Sequence, residues 1–148
     1  MSLEIIRLNG LSSGVQSLSE AARAEGFTML ERLISNFRSG NNTFSRPGEI
    51  LFGVEQLGVL IGIGGLNIDP YFKESRVGRI RHLYVHPSTR KIGVGRMITK
   101  AIEVHAVGRF DKLQLFTPTR AASEFYEALG YVGVSGVEKV SHVKVLDS

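Results

Sequence analysis

The 148-residue sequence contains no cysteine. That excludes a disulfide framework, a thiolate metal site and a cysteine nucleophile, and no metal is expected. No run approaches the ~18 consecutive apolar residues of a membrane helix. The opening Met-Ser-Leu-Glu-Ile-Ile-Arg lacks the basic start and long apolar stretch of a secretory signal, so a cytoplasmic protein with no membrane partner is expected. No internal repeat, low-complexity tract or linker is found, and one domain over residues 1–148 is the expectation, with enough chain for a sizeable core. Acids are locally scarce. Between Lys73 and Lys100 a single one, Glu74, faces eight basic residues: Lys73, Arg76, Arg79, Arg81, Arg90, Lys91, Arg96 and Lys100. A basic stretch is often only a solvated face, but it also suits a phosphate-bearing ligand. No helix-turn-helix, zinc-ligand or RNA-sheet aromatic pattern accompanies it, which argues against a nucleic-acid partner.

What is present centres on residues 79–96. The apolar run Ile80 to Val85 reads as a strand halted by Pro87, which cannot donate to a ladder. A polar turn follows, then Gly93 and Gly95. Val94, Met97, Ile98, Ala101, Ile102 and His105 then recur at helical spacings. The first N–H groups of such a helix have no partner within it, and its dipole adds positive character there. A phosphate would supply the missing acceptors, and glycine lets it approach the backbone. Two familiar phosphate motifs do not match: G-x-x-x-x-G-K-[ST] is absent, and Ile98 stands where G-x-G-x-x-G needs its third glycine.

Around this centre, Leu3 to Leu8 reads as a strand, and Val15 to Arg38 as helix divided at Gly26. Ser39 to Gly48 is a polar loop. Ile50 to Glu55 and Leu57 to Leu66 form a hairpin. The glycines at 62, 64 and 65 mark a bulge or a close approach by another group. Lys112 to Phe116 is a strand, and Thr117 is read as the cap of the next helix with Pro118 at its first position. That helix ends at Gly130, and strands follow over 131–134 and 140–146. The order β-αα-ββ-β-α-β-α-ββ gives a mixed α/β class, with about six or seven strands flanked by about four helices.

Leu83-Tyr84-Val85-His86-Pro87 followed by Arg90-x-x-Gly93-x-Gly95 resembles the acyl-coenzyme A signature [RQ]-x-x-G-x-[GA] of the GCN5-related N-acetyltransferases. Phe125-Tyr126-x-x-x-Gly130-Tyr131 is similar to a later segment of the same family. With the elements around them, the likeness extends over nearly the whole chain, and the family fold has the element order read above. The resemblance implies direct acetyl transfer from acetyl-coenzyme A to an amine in a ternary complex, without an acyl-enzyme. It implies that the pantetheine arm pairs with the backbone of Leu83, Tyr84 and Val85. The pyrophosphate would meet the N–H groups of Arg90, Lys91, Ile92, Gly93, Val94, Gly95 and Arg96. Tyr126 corresponds to the tyrosine whose hydroxyl lies near the coenzyme sulfur. The helix pair and the loop over 39–48 would border the acceptor site, and a homodimer is common in the family.

Two departures from the family pattern bear on mechanism. Residues 77–86 contain no carboxylate to serve as a base, which leaves His82, and less so His86, as candidates. The amine arriving neutral, or Glu55 acting through water, are the alternatives. Second, Phe116-Thr117-Pro118-Thr119 stands where many members have an asparagine that contacts the coenzyme arm, so the hydroxyl of Thr117 or Thr119 is the substitute, unless it only caps the helix. The missing carboxylate also keeps open a non-catalytic acyl-coenzyme A-binding sensor or interaction module. The acceptor is not named by the sequence, although an anionic one would suit Arg76 and Arg79.

Overall fold

The computed structural model describes residues 2–72, 74 and 76–147; Lys73, counted in the basic stretch, lies outside the described residues. In chain order the elements are β1 (Leu3–Arg7), α1 (Ser13–Ala24), α2 (Met29–Ser39), β2 (Ile50–Gln56), β3 (Val59–Ile68), β4 (Val77–Val85), α3 (Val94–Ala106), β5 (Lys112–Leu115), α4 (Arg120–Ala128), β6 (Val132–Gly133) and β7 (His142–Val145). The strands form one seven-stranded sheet in the order β1-β2-β3-β4-β5-β7-β6. Every neighbouring pair is antiparallel except β4 and β5.

Each face of the sheet carries a core. On one, Val94, Ile98, Ile102 and Ala106 of α3, spaced by four, pack with Leu66, Ile80 and Leu113, and Tyr126 of α4 joins them. On the other, Val15, Leu18 and Ala22 of α1 and Leu30, Leu33 and Ile34 of α2 cover Leu51, Ile63 and Tyr84. Gly26, at φ +87°, turns the chain between α1 and α2 as the sequence led us to expect.

The β3 glycines allow a close approach by side chains. A Cβ on Gly62 would lie 2.6 Å from Val94 Cγ1, one on Gly64 2.6 Å from Ile98 Cγ2, and one on Gly65 2.4 Å from Phe44 Cε1. The first two let α3 settle onto the strand, and the third admits Phe44 on the opposite face. Gly64→Ala is therefore expected to cost about 1–3 kcal/mol through overpacking. Urea unfolding checks this, with a lowered midpoint at unchanged slope as the expected result.

Candidate active site

The site begins where β4 and β5 part. They are in register only at Val77, Gly78 and Arg79 against Lys112, Leu113 and Gln114. Beyond Arg79 the β5 side of β4 has no strand partner, although β4 runs on to Val85. Parallel strands joined at one end and open at the other leave a fork whose backbone groups can accept an added extended segment.

Near the middle of the fork β4 changes face. On the β3 side Ile63 is opposite Tyr84 and Gly65 opposite Arg81, so β4 carries one extra residue. His82 sits in this bulge at φ +61°, a left-handed conformation uncommon for histidine. Before it, Ile80 packs toward α3, so alternation turns Arg79 and Arg81 to the α1–α2 face. After it, Leu83 and Val85 pack toward α3, and Tyr84 turns to the α1–α2 core. The Tyr84 side chain is thereby committed to the interior, where its hydroxyl donates to Glu25 Oε2 at 2.5 Å. Only its backbone is available to a ligand in the fork.

His82 packs edge-on to Phe44 with ring centroids 6.3 Å apart, and its buried Nε2 has no hydrogen-bond partner. Burial, reinforced by the charges of Arg81 and Arg32, pushes its pKa down to about 3. The ring is neutral across the physiological range. Since the unfolded chain would protonate near 6.5, the unfolded state takes up a proton first, and stability falls as pH drops from 6.5 toward 3. Between pH 6 and 5 the loss from this group approaches about 1.4 kcal/mol per pH unit. Urea unfolding at the two pH values checks this, and His82→Gln should flatten that part of the curve. His86 is differently occupied: its Nδ1 accepts from Ser88 N at 3.1 Å and caps the short 3-10 turn Pro87–Thr89.

The fork leads into the turn before α3. Lys91 at φ +67° and Gly93 at φ +92° are both left-handed, an alternation that points successive N–H groups the same way. A Cβ on Gly93 would meet nothing within 4 Å, so the glycine is required by its backbone angle, with open space above it. The first bond of α3 runs from Met97 N to Gly93 O. Val94, Gly95 and Arg96 therefore keep free N–H groups, and among the described residues no acceptor is supplied to them. Gly95 has a packing role, because a Cβ there would lie 3.3 Å from Phe125 Cζ of α4.

Arg90, the first residue of the motif, is held by its own fold. Its guanidinium makes two 2.7 Å bonds to Glu25 and donates through Nε to Val85 O at 3.1 Å. Those bonds, then that of Tyr84, hold the Glu25 carboxyl below its usual pKa. The side chain thus ties the end of α1 to the turn and leaves only its N–H for an anion. Lys91 and Ile92 are exposed at the turn's rim.

Tyr126 lies on α4 next to Phe125, the residue that packs on Gly95. Its ring lies edge-on to Phe125 (5.1 Å) and Tyr131 (5.4 Å). The residue is 6% exposed, yet its hydroxyl has no partner among the described residues and is not sealed from solvent. Burial raises its pKa, so the phenol stays protonated at neutral pH. The helix cap differs from the sequence expectation. Thr119, not Thr117, accepts from Ala122 N at 3.2 Å and starts α4, because Pro118 precedes the cap instead of following it. Thr117 is freed of that role; its N–H bonds Ser141 Oγ at 2.9 Å. Glu55 lies on β2, separated from β4 by β3. Arg76, expected to suit an anionic acceptor, is instead paired with Asp111 at 2.9 Å.

A sequence model of the Acetyltransferase (GNAT) family matches residues 15–131. The chain belongs to the GNAT acetyltransferase family. A provisionally assigned acetyltransferase from Exiguobacterium sp. 255-15 superposes with a TM-score of 0.82 at 31% identity, covering 98% of this chain and 94% of that one. The N-acetyltransferase PaiA of Thermoplasma acidophilum, solved in complex with coenzyme A, has the same fold, with a TM-score of 0.67 at 17% identity over 98% of this chain and 99% of that one. Among curated proteins, an aminoglycoside N(6')-acetyltransferase type 1 of Klebsiella aerogenes is 39% identical over 79 residues, 51% of each chain. The match thus spans about half the length of that relative. In this chain the fork and the turn before α3 combine an unpaired strand edge, free N–H groups at Val94, Gly95 and Arg96, and open space at Gly93. Among the described residues no helix is long and apolar enough to cross a membrane.

Proposed function

We propose that the protein transfers an acetyl group from acetyl-coenzyme A directly to a primary amine, of a small molecule or a protein, in a ternary complex. The observation that carries this reading is the continuity between the unpaired edge of β4 and the turn at Lys91–Arg96, where N–H groups are free and Gly93 is open. The residues fit the coenzyme. Leu83, Tyr84 and Val85 offer backbone pairing to an extended arm, and Arg90 to Arg96 offer N–H groups to a pyrophosphate. Thr117 adds a hydroxyl at the end of β5. The coenzyme-bound relative from Thermoplasma acidophilum supports the assignment.

When bound, the coenzyme supplies an activated acetyl thioester. The chain's own groups do the rest. Tyr126, kept protonated by burial, donates a hydrogen bond to the departing sulfur. His82, whose pKa is about 3, is too weak a base to store the amine's proton, and its Nε2 is buried away from an entering amine. The amine then enters unprotonated, and the proton it sheds passes to solvent.

The absence of a carboxylate on β4 favours one other reading, a non-catalytic acyl-coenzyme A-binding sensor. A thiol-release assay over a panel of amines separates the two. Amine-dependent release supports transfer. Coenzyme binding without release for any amine supports the sensor.

A further inference from the structure

On the α1–α2 face, beside the bulge, lies a cavity of about 530 Å³ between the loop after α2 and the adjoining ends of β3 and β4. Its walls include Arg46, Glu49, Asp69, Glu74 and Arg81. The two buried carboxylates are fully engaged within the fold. Glu49 accepts from Arg46 N, Asn67 Nδ2 and Ile68 N. Asp69 accepts from the N–H groups of Tyr71 and Phe72 through one oxygen, and from Arg79 Nε and Gln114 Nε2 through the other. Arg79, offered with Arg76 by the sequence for an anionic acceptor, thus has its charge answered by Asp69 at 2.9 Å. Arg81 has no such answer. Among the described residues no carboxylate lies within ion-pair distance of its guanidinium, although the side chain is partly withdrawn from water. Arg46 and Glu74, both exposed, oppose one another in charge.

A guanidinium's planar fork of donors matches carboxylate and phosphate, and Arg81, half-buried at the cavity wall, has its own fork without a carboxylate partner among the described residues. Here that partner is missing from the fold and there is space for it. Arg81 also immediately precedes His82, so a group held by it lies next to the fork. We propose that the acceptor is an amine that also carries an oxyanion, carboxylate or phosphate, and that Arg81 receives that oxyanion in this cavity. The inference rests on the acetyl-transfer reading of the same site. It also separates this chain from its aminoglycoside-modifying relative, since a polycationic aminosugar would bring only like charge to Arg81.

The test compares matched amines: 4-aminobutyrate with butylamine, and phosphoethanolamine with ethanolamine, plus kanamycin. A coenzyme A titration comes first, and its failure contradicts the coenzyme reading alone. Each amine is then titrated calorimetrically into the free protein and, where coenzyme A binds, into the coenzyme-saturated protein. The expected result is at least about tenfold tighter binding of the anionic member of one pair, and weaker binding of kanamycin than of that member. The pair that shows it identifies carboxylate or phosphate. In Arg81→Gln the preference should disappear while coenzyme affinity is unchanged, and Arg81→Lys, which keeps the charge, should retain part of it. Equal binding within both pairs, failure of both anionic members to bind, preference for kanamycin, or a preference that survives in Arg81→Gln would each overturn the proposal.

Discussion

Replacing Gly93 by aspartate should weaken acetyl-coenzyme A binding by about 30- to 150-fold, whereas asparagine at the same position should leave it within a fewfold of wild type. The pair isolates charge from conformation. Gly93 has φ +92°, and asparagine and aspartate are the side chains that tolerate this region best. Neither meets a steric obstacle, since a Cβ there has nothing within 4 Å. They differ in one negative charge placed among the N–H groups of Val94, Gly95 and Arg96. A carboxylate near a pyrophosphate at an effective dielectric of about 20 costs about 4 kcal/mol at 4 Å, and solvent at this exposed turn reduces that to about 2–3 kcal/mol. Calorimetric titration measures both variants. Equal losses in the two would show that backbone geometry, and not anion binding, is what the glycine protects.

Tyr126→Phe should lower the rate of acetyl transfer about a hundredfold while leaving the coenzyme dissociation constant and the folding stability nearly unchanged. The hydroxyl makes no bond to the described residues, so its removal strands no partner. Stability is expected to stay within about 0.5 kcal/mol. A core tyrosine whose hydroxyl served packing would show the reverse, with stability lost and turnover intact. Raised pKa gives a second signature. Because burial keeps the phenol protonated above its ordinary value, the wild-type rate should show no alkaline decline from Tyr126 near pH 10. Turnover is followed by thiol release, coenzyme affinity by calorimetry and stability by urea unfolding.

The parts of the site that were legible in the sequence are those encoded locally. The turn before α3 announces itself through Gly93, Gly95 and the spacing of Val94, Ile98 and Ile102, all within about three helical turns. The mixed sheet follows from element order for the same reason. Contacts between distant segments were not legible. Nothing near Arg90 indicates that Glu25, 65 residues earlier, occupies its guanidinium. The bulge at His82 has no glycine to mark it, and it alone reverses which residues of β4 face the α1–α2 side. The sequence offered Arg76 and Arg79 for an acceptor anion, but Asp111 pairs with Arg76 and Asp69 with Arg79, which leaves Arg81, two residues beyond Arg79, without a carboxylate. That choice is set by where the turn after β3 delivers Asp69, and two arginines on one face of a strand look alike until it is known. The cap of α4 was displaced by two residues, from Thr117 to Thr119, because both flank Pro118 and either hydroxyl suits a cap.

The central claim is that the fork in the sheet and the turn beyond it hold one coenzyme molecule. Backbone amide NMR during an acetyl-coenzyme A titration of the wild-type protein tests it most directly. The account predicts saturable shifts concentrated at Leu83 to Val85 and at Lys91 to Arg96, with the β1 and β2 amides left in place. Saturable shifts confined to another surface, or no shifts at any soluble coenzyme concentration, would contradict it.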